Sequence, residues 1–472
     1  MKKLKYIGKQ SNSNKITKLE VTPDVLSDHG GLFFILQYIE NSGLFDVVRK
    51  HLKTLPFNRK TIGLVAIFRQ VIAYFIDGRS KAMTGFDTLK KECGYAEILE
   101  VPEKELVSSH IVKRFFRKFD FSKSLLLRRV LNALFIWRLK MMQPSVIIIA
   151  IDTMVLDNDF AKKRSGCDPT YKKVKGYQPL QMGWGNVIID ALFRRGKSHS
   201  NHGNDVENSV SRIVKLIRKR YFADVPILFT TDSGFLDQKI FLHFEKLGVL
   251  YVCFGKLYCS IQKQVAESSD PLKTYNKGKI SWGYLEFKSL LKSWKIKDEL
   301  RTIFTTLLCD DTDETLIEFT KPDSVLYTNI GINQELTQQL IDRGNEIYIE
   351  TESIIELAHS RGAIEQNHRS LKDLMIKEYS PFKRFGMNSA YYYIMLIAHF
   401  MFESYKEDIA VEIEAISTTQ YPTTFRKIAM HFIVKICKTG GRRILKVTEY
   451  IANRLQIKKL WELCAEGSSI KV

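Results

Sequence analysis

The chain has 472 residues, a hydrophobic content of 45% and a formal net charge of +20. This length suffices for two to four domains, and the composition is typical of a folded protein rather than a disordered one. The apolar run at 391–402 is too short to cross a bilayer, and the basic N-terminus lacks the apolar segment of a secretory signal. We therefore expect no membrane span, and seven cysteines without metal-ligand spacing favour the cytoplasm.

The positive charge is concentrated towards the two ends of the chain. Residues 1–150 contain 26 basic and 13 acidic residues, and residues 381–472 contain 14 and 8. Residues 151–380 are nearly balanced, with 32 and 31. Basic ends suit the phosphate backbone, so nucleic acid is the first candidate partner. A generally basic soluble protein is the alternative.

Residues 1–143 are predicted to form a helical, basic DNA-binding region. Apolar residues recur at helical spacing from Leu32 to Leu52, at 61–78 and at 124–142. A further helix at 107–120 starts from Ser108 or Ser109 as its cap. Its four cations are Lys113, Arg114, Arg117 and Lys118. A short helix, a turn and a cationic helix suit a helix-turn-helix in the major groove, although a solvated basic face has the same pattern.

From residue 144 to residue 255 the pattern changes to that of an α/β protein. The runs VIIIAID (146–152) and VPILFTTD (225–232) have the composition of buried strands. Between them, two strands meet near Gly185-Asn186 as a hairpin, and 205–222 has the apolar stripe of an amphipathic helix. The predicted order is β-β-β-α-β-α-β, which indicates a mixed sheet.

Residues 256–350 are predicted to be a β-rich insertion, because strand-like runs alternate there with polar turns. These runs are 280–290, 302–311, 315–320 and 324–330. A helix resumes at 352–376, inside a core segment of 351–380, and a helical, basic C-terminal region covers 381–472.

Asp152 and Asp232 end the two buried strand-like runs. If these strands are neighbours in one sheet, both carboxylates project from it at similar height. A pair of aspartates can bridge one Mg²⁺ or Mn²⁺, and a third carboxylate helps to hold a second ion. For either aspartate alone, a helix cap or a turn is the alternative.

A third acid, Glu365, lies within a cation-rich predicted helix. Arg361, Glu365, His368 and Lys372 are spaced by 4, 3 and 4 residues, so they share one helical face. A carboxylate with cations one turn away fits a metal ligand whose neighbours bind substrate phosphates. An ordinary salt-bridged surface helix is the alternative.

A cationic loop follows the second strand of the hairpin. It contains Arg194, Arg195 and Lys197, and we favour contact with phosphate over a plain solvated loop. No Walker A loop is present in the sequence, so no nucleotide cofactor is expected.

The motif Arg361-x3-Glu365-x6-Lys372 resembles the end of the tyrosine-arginine-glutamate-lysine signature of bacterial insertion-sequence transposases. AIDTM and TDSGF resemble their two aspartate motifs, and KGYQPLQMG and FRRGKSHSNHG resemble the hairpin of the DDE group 1 branch. The resemblance covers about residues 30–450 and implies a ribonuclease H-like core with a β-rich insertion before the last glutamate. One departure is Ala358, which occupies the position of the signature tyrosine.

The resemblance implies a DDE transposase that performs cut-and-paste transposition with Mg²⁺ or Mn²⁺, as two ions. Asp152, Asp232 and Glu365 would be the metal ligands. Arg361, His368 and Lys372 would contact the phosphates of double-stranded DNA, both terminal inverted repeats and target. The active form would be a homo-oligomer, such as a dimer, on DNA.

In related transposases an aromatic residue of the insertion stacks on a flipped base. Trp282 and Trp294 are the candidates here, with hydrophobic packing as the alternative for both. Two other functions stay open: a nuclease of the same fold that does not join DNA, and a domesticated DNA-binding protein. The catalytic acids cannot distinguish the nuclease from the transposase, whereas their presence argues against the domesticated protein.

Overall fold

The computed structural model describes residues 16, 18–56, 62–80, 82–161, 163–278, 280–291, 294, 299–310, 323–359, 362–374, 379–465 and 470. The helices in its N-terminal part are α1 (Gly30–Asn41), α2 (Leu44–Leu52), α3 (Leu64–Asp77), α4 (Gly85–Leu89), α5 (Tyr95–Ile98), α6 (Ser109–Phe116) and α7 (Phe121–Met142). Those that follow are α8 (Asp205–Arg220), α9 (Gln238–Leu247), α10 (Cys259–Ala266), α11 (Gln334–Asp342), α12 (Thr351–His359), α13 (Gly362–Leu374), α14 (Phe385–Ala410), α15 (Pro422–Phe425), α16 (Glu449–Arg454) and α17 (Ile457–Ala465).

The strands form three sheets. They are β1 (Val25–Ser27), β2 (Ile147–Thr153), β3 (Leu156–Asp157), β4 (Asp168–Pro169), β5 (Lys175–Tyr177), β6 (Leu180–Trp184), β7 (Val187–Leu192), β8 (Ile227–Thr231), β9 (Leu250–Phe254), β10 (Lys273–Lys277), β11 (Ile280–Ser289), β12 (Leu300–Asp310), β13 (Asp323–Thr328), β14 (Val434–Thr439) and β15 (Arg442–Val447).

The largest sheet has nine strands in the order β10-β11-β12-β13-β9-β8-β2-β6-β7. Strand β2 is parallel to β8 and antiparallel to β6, and β8 is parallel to β9. The predicted hairpin is confirmed as β6 and β7. The first core strand therefore lies in the middle, with an antiparallel pair on one side and a parallel pair on the other, which is the mixed sheet expected of a ribonuclease H-like core.

The β-rich insertion continues the core sheet. Strand β13 pairs antiparallel with β9, and β12, β11 and β10 follow in turn. The predicted run at 315–320 lies outside the described residues. Strand β10 was not among the predicted elements, because KTYNK is too polar to be distinguished from a loop. The insertion is thus attached to the core through the edge of β9.

A long apolar helix, α14, forms the centre of the helical layer. It packs on α7, α3 and β7, and it is buried along most of its length. A helix that is apolar on all sides belongs in a protein core, which accounts for the run at 391–402. In the part of the chain that the structure describes, no helix has the length and apolar character needed to cross a membrane.

The structure divides one predicted helix and adds one hairpin. Gly43, with φ +77°, separates α1 from α2 within the predicted segment Leu32 to Leu52. The predicted helix at 352–376 is present as α12 and α13. The C-terminal region, expected to be helical, also contains β14 and β15, which join at Gly440-Gly441, and β14 pairs with β1. This small sheet links the N-terminal and C-terminal regions.

Candidate active site

Asp152 and Asp232 lie side by side at one end of the core sheet. Strands β2 and β8 are paired in parallel up to Ile151 and Thr231, and each aspartate is the next residue along the chain after one of these partners. The parallel register therefore places their Cα atoms at the same height. Asp152 is half-buried and Asp232 is exposed, so both carboxylates are near solvent.

The backbone fixes the orientation of both carboxylates. The N–H of Thr153 donates to Oδ1 of Asp152 at 2.6 Å, and the N–H of Ser233 donates to Oδ1 of Asp232 at 2.7 Å. Each aspartate thus has one oxygen held by the residue that follows it. A turn of 3₁₀ helix, Ser233–Phe235, leads the chain away after Asp232.

Helix α13 crosses the face of the sheet on which the two aspartates lie. Side chains alternate along a strand, so Asp152 shares a face with Ala150, and Asp232 shares a face with Thr230. Ala150 and Thr230 line a cavity of about 310 Å³ together with Ile364 of α13. The helix is therefore on the aspartate side of the sheet.

Glu365 follows Ile364 on this helix and is exposed. A Cβ atom on Gly183 of β6 would come within 3.3 Å of Ile364, so the helix lies close to the strand. Asn367 donates to the carbonyl oxygen of Gly185 at 2.8 Å and ties α13 to the β6–β7 turn. The structure thus places Glu365 on the same face as the aspartates.

The carboxylate oxygens of Asp152, Asp232 and Glu365 do not all lie within 4.8 Å of one another in this structure. Among the described residues, three possible ligand atoms come within 4.8 Å of one another at Asp28, His29 and Glu92, not at the predicted acids. The Asp28–His29–Glu92 group is distant in sequence from them and is held by ion pairs with Arg79 and Asp77.

A buried polar group that was not predicted from the sequence holds α13 against α14. Ser370 of α13 donates to Glu403 at 2.7 Å, and Glu403 pairs with Lys406 at 2.6 Å. All three side chains are buried. Burial raises the pKa of Glu403, while Lys406 and Ser370 oppose that shift. The sequence did contain a signal for this group, namely a glutamate and a lysine within the otherwise apolar segment of α14.

The cations predicted to bind DNA occupy different environments. His368 and Lys372 are half-buried on α13 with Glu365, and Arg361 lies outside the described residues. On α6 and just after it, Lys113, Arg114 and Arg117 are exposed, and Lys118 donates to the carbonyl oxygen of Pro56 at 2.5 Å. The side chain of Ser108 caps α6 by accepting from the N–H of Ile111.

Arg194 and Arg195, which were also predicted to bind DNA, differ in their exposure to solvent. Arg195 is exposed, whereas Arg194 is buried and donates to the carbonyl oxygen of Gln178 at 3.1 Å. Burial lowers the pKa of Arg194, and Asp205, at 3.5 Å, opposes the shift. This guanidinium holds the loop after β7 in place, so we do not propose that Arg194 contacts phosphate.

Both candidate base-stacking tryptophans pack inside the protein. Trp282 is 7% exposed, and its ring stacks on those of His359 at 5.1 Å and Tyr275 at 5.8 Å. Trp294 is half-buried and lies edge-on to Phe241 at 5.1 Å. Hydrophobic packing, the alternative kept open for both, is what the structure shows.

The charges of both aspartates act on one exposed tyrosine. Tyr171 is 62% exposed, and partial burial, followed by the charges of Asp152 and Asp232, raises the pKa of its phenol. Tyr171 is distant from both aspartates in sequence, so local patterns could not associate it with them. Its position in a polar, lysine-rich turn was the only local signal.

The residues present fit a divalent metal ion. Carboxylate oxygens are the ligands that Mg²⁺ and Mn²⁺ prefer, and solvent access at Asp152, Asp232 and Glu365 leaves room for water and phosphate oxygens. Parallel strands hold the two aspartates at the same height, which provides two rigidly placed ligands for a metal ion. A third carboxylate lies on the facing helix.

Comparisons with known proteins identify the family. The family model described as "Transposase DDE domain group 1" matches residues 9–465. Among solved structures, the cryo-EM structure of the piggyBac transposase synaptic complex with hairpin DNA is similar with a TM-score of 0.38 and 14% identity, over 84% of this chain and 79% of that chain. No curated protein sequence gives a significant match. The chain belongs to the DDE group 1 transposase family and is a DNA-binding, divalent-metal-dependent DNA transposase.

Proposed function

We propose that this transposase cuts its own element at the terminal inverted repeats and joins the freed ends to target DNA. Asp152, Asp232 and Glu365 hold two Mg²⁺ or Mn²⁺ ions. Such ions, when bound, activate the attacking oxygen and stabilise charge on the leaving oxygen. The single observation that carries the assignment is the adjacent placement of Asp152 and Asp232 at the ends of parallel strands.

The protein's own residues hold and orient the DNA strand in this scheme. His368 and Lys372 share α13 with Glu365, one and two turns further on, where they reach phosphates on either side of the reacting one. Arg361 precedes the same helix, and we assign it the same role. Arg195 is exposed beyond β7 and supplies a further cation to the DNA path.

Each reaction exchanges one phosphodiester for another bond at the same phosphorus. Water attacks first, which releases a 3′-hydroxyl at the element's end. That hydroxyl then attacks a target phosphodiester, so one P–O bond forms as another breaks and a proton leaves the nucleophile. Because the second step conserves the number of phosphodiester bonds, we propose that no nucleotide cofactor is consumed.

The basic N-terminal region is proposed to recognise the terminal repeats. Exposed Lys113, Arg114 and Arg117 on and after α6 form a cationic surface preceded by the short helices α4 and α5. Each chain carries one set of catalytic acids, whereas an element has two ends. A dimer on DNA is therefore the smallest assembly that we propose, and the cytoplasm is where it meets its DNA.

A joining assay tests this function. Labelled duplexes carrying the inverted repeats that flank the gene are incubated with the protein, Mg²⁺ and a supercoiled plasmid. We expect cleaved ends and label joined to the plasmid. Cleavage without joining would identify a nuclease, and specific binding without cleavage would identify a domesticated DNA-binding protein.

A further inference from the structure

A glutamine lies beside Asp152 on the core sheet and has no role in the scheme above. Gln181 of β6 is the antiparallel register partner of Asp152 in β2. Directly opposed residues project from the same face of a sheet, with Cβ atoms about 4.5–5.5 Å apart. The parallel register of β2 and β8 places Asp232 on the other side of Asp152. Gln181, Asp152 and Asp232 therefore form one row across one face of the sheet.

Helix α14 holds one end of the Gln181 amide. Nε2 of Gln181 donates to the hydroxyl of Tyr392 at 2.5 Å, and both side chains are buried. Burial raises the pKa of Tyr392, so its hydroxyl stays neutral. The contact fixes where the amide lies in the row.

The other end of the amide is a buried acceptor without a donor. Gln181 is 0% exposed, and among the residues that the structure describes no group donates to its Oε1. An unpaired buried acceptor is costly, and a water molecule or an ion is a common reason for one. Asp152 cannot supply the donor, because an ionised carboxylate only accepts hydrogen bonds. Two acceptors side by side therefore need a cation or a water molecule between them.

A second buried glutamine shows the contrast. Nε2 of Gln70 donates to the carbonyl oxygen of Glu105 at 2.9 Å, and its Oε1 accepts from the N–H of Val107 at 2.8 Å. Both ends of that amide are paired within the helical N-terminal region. Gln70 therefore has the pattern of a purely structural glutamine, whereas Gln181 is paired only on the side away from Asp152.

We propose that Gln181 is a positioning residue of the metal site, whose Oε1 accepts a hydrogen bond from a water molecule on the ion that Asp152 binds. Water on a cation can only donate, because its lone pairs face the ion. This rests on the proposed function, since it takes Asp152 as a metal ligand. Gln181 thereby stabilises the bound ion and orients its water, while Tyr392 keeps the amide in place.

Metal binding tests this without turnover. The full-length protein is bound to precleaved terminal-repeat duplexes that end in a 3′-dideoxynucleotide, so no joining can follow. Mn²⁺ is then titrated, and electron paramagnetic resonance measures the free ion. The Asp152→Ala complex gives the Mn²⁺ held by DNA alone. We expect Gln181→Met to weaken binding at the Asp152 site by roughly 10- to 100-fold, as is typical of groups that support metal ligands.

Two further variants separate the metal contact from packing. Gln181→Glu keeps an acceptor in the same place, and the Tyr392 hydroxyl can donate to it. We expect this variant to bind Mn²⁺ at least as tightly as the wild type. Gln70→Met, the matched control, should bind Mn²⁺ like the wild type but unfold in less urea, because it loses two paired hydrogen bonds.

Cleavage in Mg²⁺ gives an independent measurement. Gln181→Met should need roughly 10- to 100-fold more Mg²⁺ for half-maximal cleavage and recover most of its rate at saturating Mg²⁺. A merely structural role would lower stability and leave the Mg²⁺ requirement unchanged.

The outcomes distinguish the inference from the proposed function. If the wild type binds Mn²⁺ through Asp152 and Gln181→Met binds it equally well, the inference is wrong and the proposed function stands. Weaker binding by Gln181→Glu than by the wild type would also contradict the inference. If the wild-type complex binds no more Mn²⁺ than the Asp152→Ala complex and does not cleave, the proposed function fails and the inference with it.

Discussion

Asp152 and Asp232 are adjacent because the residues before them, Ile151 and Thr231, are register partners in parallel strands. Parallel pairing brings the ends of both strands to the same level, so residues 80 positions apart in the sequence lie side by side. A one-residue slip of β8 against β2 would move Asp232 to the opposite face of the sheet. The buried strand residues that fix this register are therefore as necessary to the site as the acids.

Trp282 is predicted to act in packing rather than in base stacking. Trp282→Ala removes a ring buried between His359 and Tyr275, and we expect a loss of about 3–5 kcal/mol in the free energy of unfolding. Trp282→Phe should cost less and retain cleavage. Urea unfolding measures the change, with Trp461→Ala, which removes a half-exposed ring, as the milder control. A stable Trp282→Ala protein that lost only DNA distortion would contradict this assignment.

The Glu403–Lys406 pair is predicted to hold helix α13 in place. Lys406→Met leaves the Glu403 carboxylate buried without its cation, which costs about 3–5 kcal/mol in such settings. The double variant Glu403→Gln with Lys406→Met removes both charges and should recover much of that loss. Chemical denaturation of the two variants and the wild type provides the comparison. Equal stability of the single and double variants would show that the pair is not coupled.

His29 is predicted to make stability depend on pH. Burial disfavours its imidazolium, but hydrogen bonds to Asp77 at 2.8 Å and Glu92 at 2.7 Å outweigh burial and raise its pKa above 6.5. A raised pKa contributes stability that is complete below 6.5 and is lost as the pH rises through the folded-state value. The destabilisation caused by His29→Gln should therefore be larger at pH 6 than at pH 9.

Urea unfolding across this pH range measures the effect. His110→Gln, a change at an exposed histidine of α6, serves as the control and should show no such trend. A His29→Gln difference that stays constant with pH would exclude a stabilising imidazolium.

The cationic surface of α6 is predicted to bind DNA backbone. Replacing Lys113, Arg114 and Arg117 with glutamine should weaken terminal-repeat binding and reduce the slope of log affinity against log salt by about 0.9 for each lost phosphate contact. As a control, Lys215, Lys219 and Arg220 of α8 are replaced in the same way. Binding measured by fluorescence anisotropy at several salt concentrations distinguishes the two. An unchanged slope in the α6 variant would remove this helix from the DNA interface.

The sequence predicted the core of the fold well, because strand ends and the Gly185-Asn186 turn are local signals. The hairpin around Gly440-Gly441 was also locally signalled, by alternating apolar residues on either side of a turn, and was overlooked in a region expected to be helical. The sequence left packing and base stacking both open for Trp282, and it gave no sign that Arg194 is buried, since a tryptophan or a cation has the same local pattern on a surface and in a core. The interaction of Tyr171 with the two aspartates depends on how distant segments of the chain pack together, which no local spacing reveals.

The most direct test of the metal site replaces Asp152 or Asp232 with cysteine. A thiolate is a poor ligand for Mg²⁺, whereas the softer Mn²⁺ accepts it more readily. We predict that each variant binds terminal-repeat DNA normally, loses cleavage by roughly 1000-fold in Mg²⁺ and regains a substantial part of it in Mn²⁺. Asp270→Cys, at an exposed acid in the insertion, should cleave normally in both metals. Full cleavage by the Asp152 and Asp232 variants in Mg²⁺ would contradict the assignment of these aspartates as the metal ligands.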